Sequence, residues 1–142
     1  MRILVSACLM GVNCRFDGKS NLMPRLEELM AKHDCIPVCA ELYGGLPTPR
    51  TPAEICGDKL ITRDGRDVTA NFVKGAAEVA RMAKIYDCKV AILKENSPSC
   101  GSGKVYDGTF SKTLVEGDGL TAKALKELGL TVYGESQIEE LL

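Results

Sequence analysis

Arg2-Ile3-Leu4-Val5-Ser6-Ala7-Cys8 is the stretch on which the fold turns: a short apolar run, long enough for one buried strand, that ends in a thiol. Two later stretches repeat the arrangement. Ile36-Pro37-Val38-Cys39 closes a second apolar run, and Val90-Ala91-Ile92-Leu93-Lys94 leads into the loop Ser97-Pro98-Ser99-Cys100-Gly101. If these runs are parallel strands, Cys8, Cys39 and Cys100 arrive at the same carboxyl edge of one sheet, where open α/β folds build their sites. Three thiolates converging there can hold a soft metal or an iron-sulfur cluster and leave one coordination position free.

Helical patterns alternate with these runs, the signature of an α/β layer architecture. Thr69 suits the N-cap of the longest helix, because Phe72, Val73, Ala76, Ala80 and Ala83 recur at helical spacing up to about Tyr86. Pro24 suits the first turn of a short helix carrying Leu26, Leu29 and Met30. Thr121 reads as the cap of a helix ending at Gly129, Thr131-Val132-Tyr133 as the last strand, and Ser136 with Glu139 as a terminal capping box. From Glu41 to Pro52, two glycines and three prolines exclude regular structure. Asp64-Gly65 is the turn signal of a small hairpin. The reading is an α/β, three-layer Rossmann-like domain with a short, mainly parallel sheet, and residues 1–142 form one domain.

Eighteen Lys and Arg stand against nineteen Asp and Glu, with 5% aromatic residues and no Trp. That balance lacks the basic surplus and stacking platforms usual in nucleic-acid binders. No apolar run approaches the length of a bilayer span, so no membrane partner is expected. Seven cysteines without an export signal read as reduced thiols, metal ligands or catalytic groups of a cytoplasmic protein rather than as a disulfide framework.

No two cysteines make a C-x-x-C pair and His33 is the sole histidine, which argues against a structural zinc ribbon. Any general acid or base must therefore come from carboxylates, lysines or thiols. Glu41, two residues past Cys39 and opening the Gly44-Gly45 loop, is the leading carboxylate. Lys94 ends its strand where it can supply positive charge to the site. Ser97 and Ser99 flank Pro98 and can donate hydrogen bonds to a sulfur or a substrate oxygen, or serve the turn alone. Arg50, set by rigid prolines, can act as a fork for a carbonyl or phosphate, or brace the loop through a buried carboxylate. Cys14 is either a fourth ligand or a bystander. Gly101-Ser102-Gly103-Lys104 is not a phosphate loop, because Pro98 occupies the first glycine position and Val105 follows the lysine.

Ser6-Ala7-Cys8-Leu9-Met10-Gly11 with Arg15-Phe16-Asp17-Gly18, Cys39-Ala40-Glu41 with Gly45-Leu46-Pro47-Thr48-Pro49-Arg50, and Ser97-Pro98-Ser99-Cys100-Gly101 together resemble the signatures of the thiouracil desulfidase family, formerly a domain of unknown function. Ala40 stands where proline is usual in that family. The resemblance implies a 4Fe-4S cluster held by Cys8, Cys39 and Cys100 through three irons, the fourth iron open. It implies a non-redox desulfuration of a thiolated pyrimidine, 4-thiouracil or a related nucleoside or nucleotide, to the oxo form with release of sulfide. Glu41 would take the proton from water, and Ser97, Ser99 or Lys94 would polarise the heterocycle. Arg50, Gly45 and Ser99 would contact the substrate. The near-neutral charge favours a small thiolated base, nucleoside or nucleotide over intact tRNA. Two other readings accompany this one: an iron-sulfur sensor without turnover, and a thiol redox protein exchanging Cys8 with Cys14.

Overall fold

The computed structural model describes residues 1–142. In chain order the strands are β1 (Arg2–Ser6), β2 (Asp34–Val38), β3 (Ala53–Cys56), β4 (Lys59–Thr62), β5 (Val90–Leu93), β6 (Lys104–Tyr106), β7 (Leu114–Glu116) and β8 (Thr131–Gly134). The helices are α1 (Leu26–Lys32), α2 (Ala40–Tyr43), α3 (Thr69–Ile85) and α4 (Leu120–Glu127), and a 3-10 segment covers Glu135–Leu141.

Four strands pair in the order β2-β1-β5-β8, every pair parallel. Ile3, Leu4 and Val5 are fully buried, as are Ala91 and Ile92, because parallel strands covered on both faces read as continuous apolar runs. The period of two divides them. Leu4, Ala91 and Leu93 pack against Val79 and Ala83 of α3 and Ala122 and Leu125 of α4, while Ile3, Val5 and Ile92 pack against Leu29 of α1 and Ile138 of the terminal segment. These are the three layers expected from the sequence. No helix is long and apolar enough to cross a membrane.

Two antiparallel hairpins, β3-β4 and β6-β7, stand apart from the sheet. The first turns at Gly57-Asp58, whereas Asp64-Gly65 makes a second turn that brings Asp67 into an isolated bridge with Ile61. The second hairpin escaped the sequence reading because Leu114, Val115 and Glu116 are all exposed and give no alternation.

Several termini differ from expectation. Arg25 adopts a left-handed conformation at φ 64°, so α1 begins after it rather than at Pro24. Thr69 lies inside α3; its N–H donates to Asp67 Oδ1 at 2.9 Å and its hydroxyl accepts Leu60 N–H at 2.9 Å. Thr121 lies inside α4 behind Gly119. At the chain's end the Gln137 side chain, not a Ser136 cap, accepts Gly134 N–H at 2.9 Å. The segment after Cys39 opens with one helical turn, α2, before the proline-rich loop. Two glycines let α2 lie against α3: a Cβ at Gly75 would sit 2.0 Å from Ala40 O, and one at Gly44 would sit 2.0 Å from Asn71 O.

Candidate active site

The chain leaves β1 toward β2 on one side and β5 and β8 on the other, so the strand order reverses beside β1. Open sheets bind ligands in the crevice beyond the carboxyl ends at such a point. Cys8 follows β1, Cys39 follows β2, and Cys100 lies in the loop after β5. All three line a cavity of about 610 Å³ whose far wall comes from the two hairpins. Cys14 lines it as well, whereas Cys35, Cys56 and Cys88 do not.

Burial pushes the Cys8, Cys39 and Cys100 thiols up, and the charge of Glu41 adds to the effect at each. Opposing contacts come from Asn21 at Cys8, from the Leu42 backbone and Arg50 at Cys39, and from the Ser6 hydroxyl at Cys100. Cys14 is pushed up to about 12 by burial and then by Cys39 and Cys8. No three His, Cys, Asp or Glu side chains close on one point as a single metal ion requires. A cluster instead takes one thiolate at each ligated iron. Three soft donors spaced around one cavity, each within electrostatic reach of the others, fit that requirement.

Glu41 projects from α2 with its side chain 17% exposed, and Arg50 approaches its carboxylate at 3.6 Å. Burial raises the Glu41 carboxyl and the Arg50 charge opposes that rise. Arg50 itself is a brace. Its guanidinium donates to Thr48 Oγ1 at 3.2 Å, to Pro47 O at 3.3 Å and to Cys14 O at 2.9 Å, which leaves little of the fork for a substrate. Lys94 lines the cavity with its ammonium 2.8 Å from Glu135 and 3.1 Å from Glu95 O. Ser97 lines it too, its Oγ accepting Ser99 N–H at 3.2 Å and Cys100 N–H at 3.1 Å. Those bonds use acceptor capacity, so the Ser97 hydroxyl proton is still available to donate.

Two expected contacts do not reach the cavity. Ser99 is fully buried behind its wall, its hydroxyl 2.7 Å from Thr121 Oγ1. Gly45 is exposed at φ 88°, where it closes the α2 turn by donating its N–H to Leu42 O at 3.0 Å. Both act on the shape of the loops that carry Glu41 and Cys100.

Ser6, Asn21 and Glu135 were not singled out from the sequence. Ser6 already lay in the run before Cys8, and its hydroxyl accepts Lys94 N–H at 3.0 Å, tying β1 to the end of β5. Asn21 is oriented by Arg15, which donates to its Oδ1 at 3.1 Å. The cavity also carries Arg15 from the loop after β1, and Arg63, Arg66 and Lys112 from the hairpin side. Arg15 and Arg66 have aspartate partners; Arg63 and Lys112 have no carboxylate within ion-pair distance.

Comparison with known proteins adds three likenesses. The profile of the family described as 2-thiouracil desulfurase matches residues 3–137. An uncharacterised protein of Bacillus subtilis (strain 168), YbbK, is 41% identical in an alignment of 150 positions, gaps included, that spans 99% of each chain. A solved structure of a 4Fe-4S-dependent thiouracil desulfidase, TudS, is 42% identical and superposes with a TM-score of 0.93, covering 99% of this chain and 94% of that one.

Proposed function

The chain belongs to the 2-thiouracil desulfurase family, and from that premise we propose that it hydrolyses the carbon-sulfur bond of a thiolated pyrimidine, giving the oxo base and hydrosulfide without net electron transfer. The observation that carries the reading is the meeting of three thiols, from the loops beyond three neighbouring strands, with the half-buried Glu41 carboxylate in a single cavity. Cys8, Cys39 and Cys100 would hold a 4Fe-4S cluster. When bound, it would supply an open, Lewis-acidic iron with affinity for soft thiocarbonyl sulfur.

The chain's own groups account for the rest. Glu41 stands in the cavity, its carboxyl raised by burial against the opposing charge of Arg50, and would take the proton of an attacking water. Arg50 holds that carboxylate and the Cys14 backbone together. Ser97 offers a hydroxyl proton to the ring, and Lys94 offers positive charge as the ring gains electron density. Ser99 and Gly45 shape the loops from behind.

Arg63 and Lys112, without carboxylate partners, give the outer wall an excess of positive charge. Among base, nucleoside and nucleotide, that wall suits an anionic nucleotide, and with a formal net charge of -1 the chain is less suited to intact tRNA. Residues 1–142 read as one domain, which carries the residues of the proposed site. Its seven free thiols suit the reducing cytoplasm.

The test is anaerobic reconstitution with iron and sulfide quantified, followed by incubation with 4-thiouracil, 4-thiouridine and 4-thiouridine monophosphate. Cys8→Ser, Cys39→Ser and Cys100→Ser each lose iron and turnover, whereas Cys14→Ser keeps both. Glu41→Gln keeps its iron and slows by about 100- to 10,000-fold. Full turnover by an iron-free Cys100→Ala protein, or a parental rate in Glu41→Gln, overturns the proposal.

A further inference from the structure

We infer that Phe110 is the stacking wall for the substrate's ring and that Glu54 is the positioning residue that holds it in place. The identity of the ring rests on the desulfidase reading; the geometry stands apart from it.

The segment between β6 and β7 brings Phe110 and Lys112 to the cavity. Both adopt left-handed backbone conformations, at φ 56° and 60°. The Cβ of an L-residue disfavours that region, so such residues persist where surrounding contacts over-determine them, and they gather at functional sites. Here the over-determining contact is Glu54 of β3. Its residue is 8% exposed, it has no cationic partner, and one carboxylate oxygen accepts both Gly108 N–H at 3.0 Å and Phe110 N–H at 3.1 Å. Gly108 presses the loop onto β3: a Cβ there would lie 2.7 Å from Ile55 O.

Core packing does not explain the arrangement. Phe110 is half-buried and belongs to none of the three apolar clusters, although it is one of only three phenylalanines in the chain. Its ring instead lines the cavity, with the Arg63 guanidinium carbon 5.8 Å from the ring centroid. Arg63 lies over one face of this ring and has no carboxylate partner, and an aromatic ring paired with such a cation suits a planar heterocycle carrying an anionic group. A buried carboxylate fixing the backbone of that residue pre-organises the face before substrate arrives.

The experiment uses the reconstituted enzyme and two readouts: steady-state turnover of the thiolated substrate, and equilibrium dialysis of uridine monophosphate, which presents the ring without sulfur. Phe110→Leu raises both KM and the Kd of uridine monophosphate about tenfold while kcat changes far less, and Phe110→Tyr recovers the loss. Glu54→Ala reproduces the Phe110→Leu effect, and Glu54→Gln, whose amide oxygen can still accept both bonds, recovers most of it. The double variant Glu54→Ala/Phe110→Leu is no weaker than either alone, because both remove one contact. If Phe110→Leu is folded, turns over and keeps parental KM and Kd, the inference is overturned and the desulfidase reading survives. If the parent fails to desulfurate but binds uridine monophosphate in a Phe110-dependent manner, the reverse holds.

Discussion

Adding one methyl group to α3, as Gly75→Ala, is expected to damage catalysis far more than stability. Gly75 sits in the middle of a regular helix, where alanine is the better residue by about 1 kcal/mol. The new Cβ, however, would lie 2.0 Å from Ala40 O and 2.8 Å from Ala40 C, where ordinary contact begins at 3.4 Å. Backbone cannot swing aside as a flexible side chain can, so α2 must retreat by about 1.4 Å, the difference between 3.4 Å and 2.0 Å. Overpacking of this kind costs about 1–3 kcal/mol, which leaves a net loss of about 0–2 kcal/mol after the helix gain. Ala40 lies between Cys39 and Glu41, so the same retreat displaces a proposed ligand and the proposed base together. Misplacement of about 1 Å can cost on the order of a hundredfold in rate. Parent and variant would be compared by thermal melting, iron content and turnover per iron bound, with the exposed Lys74→Ala on the same helix as control. A Gly75→Ala protein that turns over at the parental rate would refute the claim that α2 is held by this close approach.

Two further predictions concern stability. Ser99→Ala leaves the Thr121 hydroxyl buried without its 2.7 Å partner and costs about 1–3 kcal/mol in urea unfolding, and Ser99→Ala/Thr121→Val costs less than the sum of the two single changes; a Ser99→Ala midpoint equal to the parent's refutes this. Burial pushes the Asp118 carboxyl up, but Lys126 at 2.9 Å and the Gly103 N–H at 2.7 Å more than offset it and hold the group below the usual range. A carboxyl depressed in the folded state contributes stability that is present above its unfolded pKa and lost as pH falls through its folded pKa. Melting temperature should therefore fall less steeply below about pH 4 in Asp118→Asn than in the parent, and an unchanged slope would show that Asp118 contributes nothing there.

The central strands were legible because each is buried on two faces and so writes an unbroken apolar run into the chain. Their order was not, because parallel strands of four or five residues carry no mark of which neighbour they pair with. The cysteines were legible for a related reason: Cys8 and Cys39 sit where a run stops, and Cys100 lies in the loop that the third run enters. The direction of side chains inside the loops was not. Ser97 and Ser99 look equivalent around Pro98, yet one faces the cavity and the other reaches a threonine 22 residues away on α4. Arg50 could be read as fork or brace, and only the positions of Cys14 O, Thr48 and Glu41 decide for the brace. Glu54 carried no signal at all, since its partners are backbone N–H groups contributed by a hairpin more than fifty residues downstream.

The division between sheet and hairpins also separates two kinds of work. The thiols and Glu41 follow strands of the sheet or the turn packed on α3, elements fixed by apolar layers on both faces, and cluster ligation needs that fixity. The outer wall comes from two-stranded hairpins with little core of their own, held to one another by the paired bonds to Glu54. Two-stranded ribbons are marginal in isolation, so their placement depends on such cross-contacts. Acidic groups around the cavity are already engaged: Glu41 with Arg50, Glu54 with two N–H groups, Glu95 with Ser136 N–H, and Glu135 with Lys94. The cations of the hairpins are less fully engaged. Change in Arg63, Phe110 or Lys112 should therefore alter which thiolated compound is held without disturbing the thiols proposed to hold the cluster, because the two sets of residues are carried by different parts of the fold.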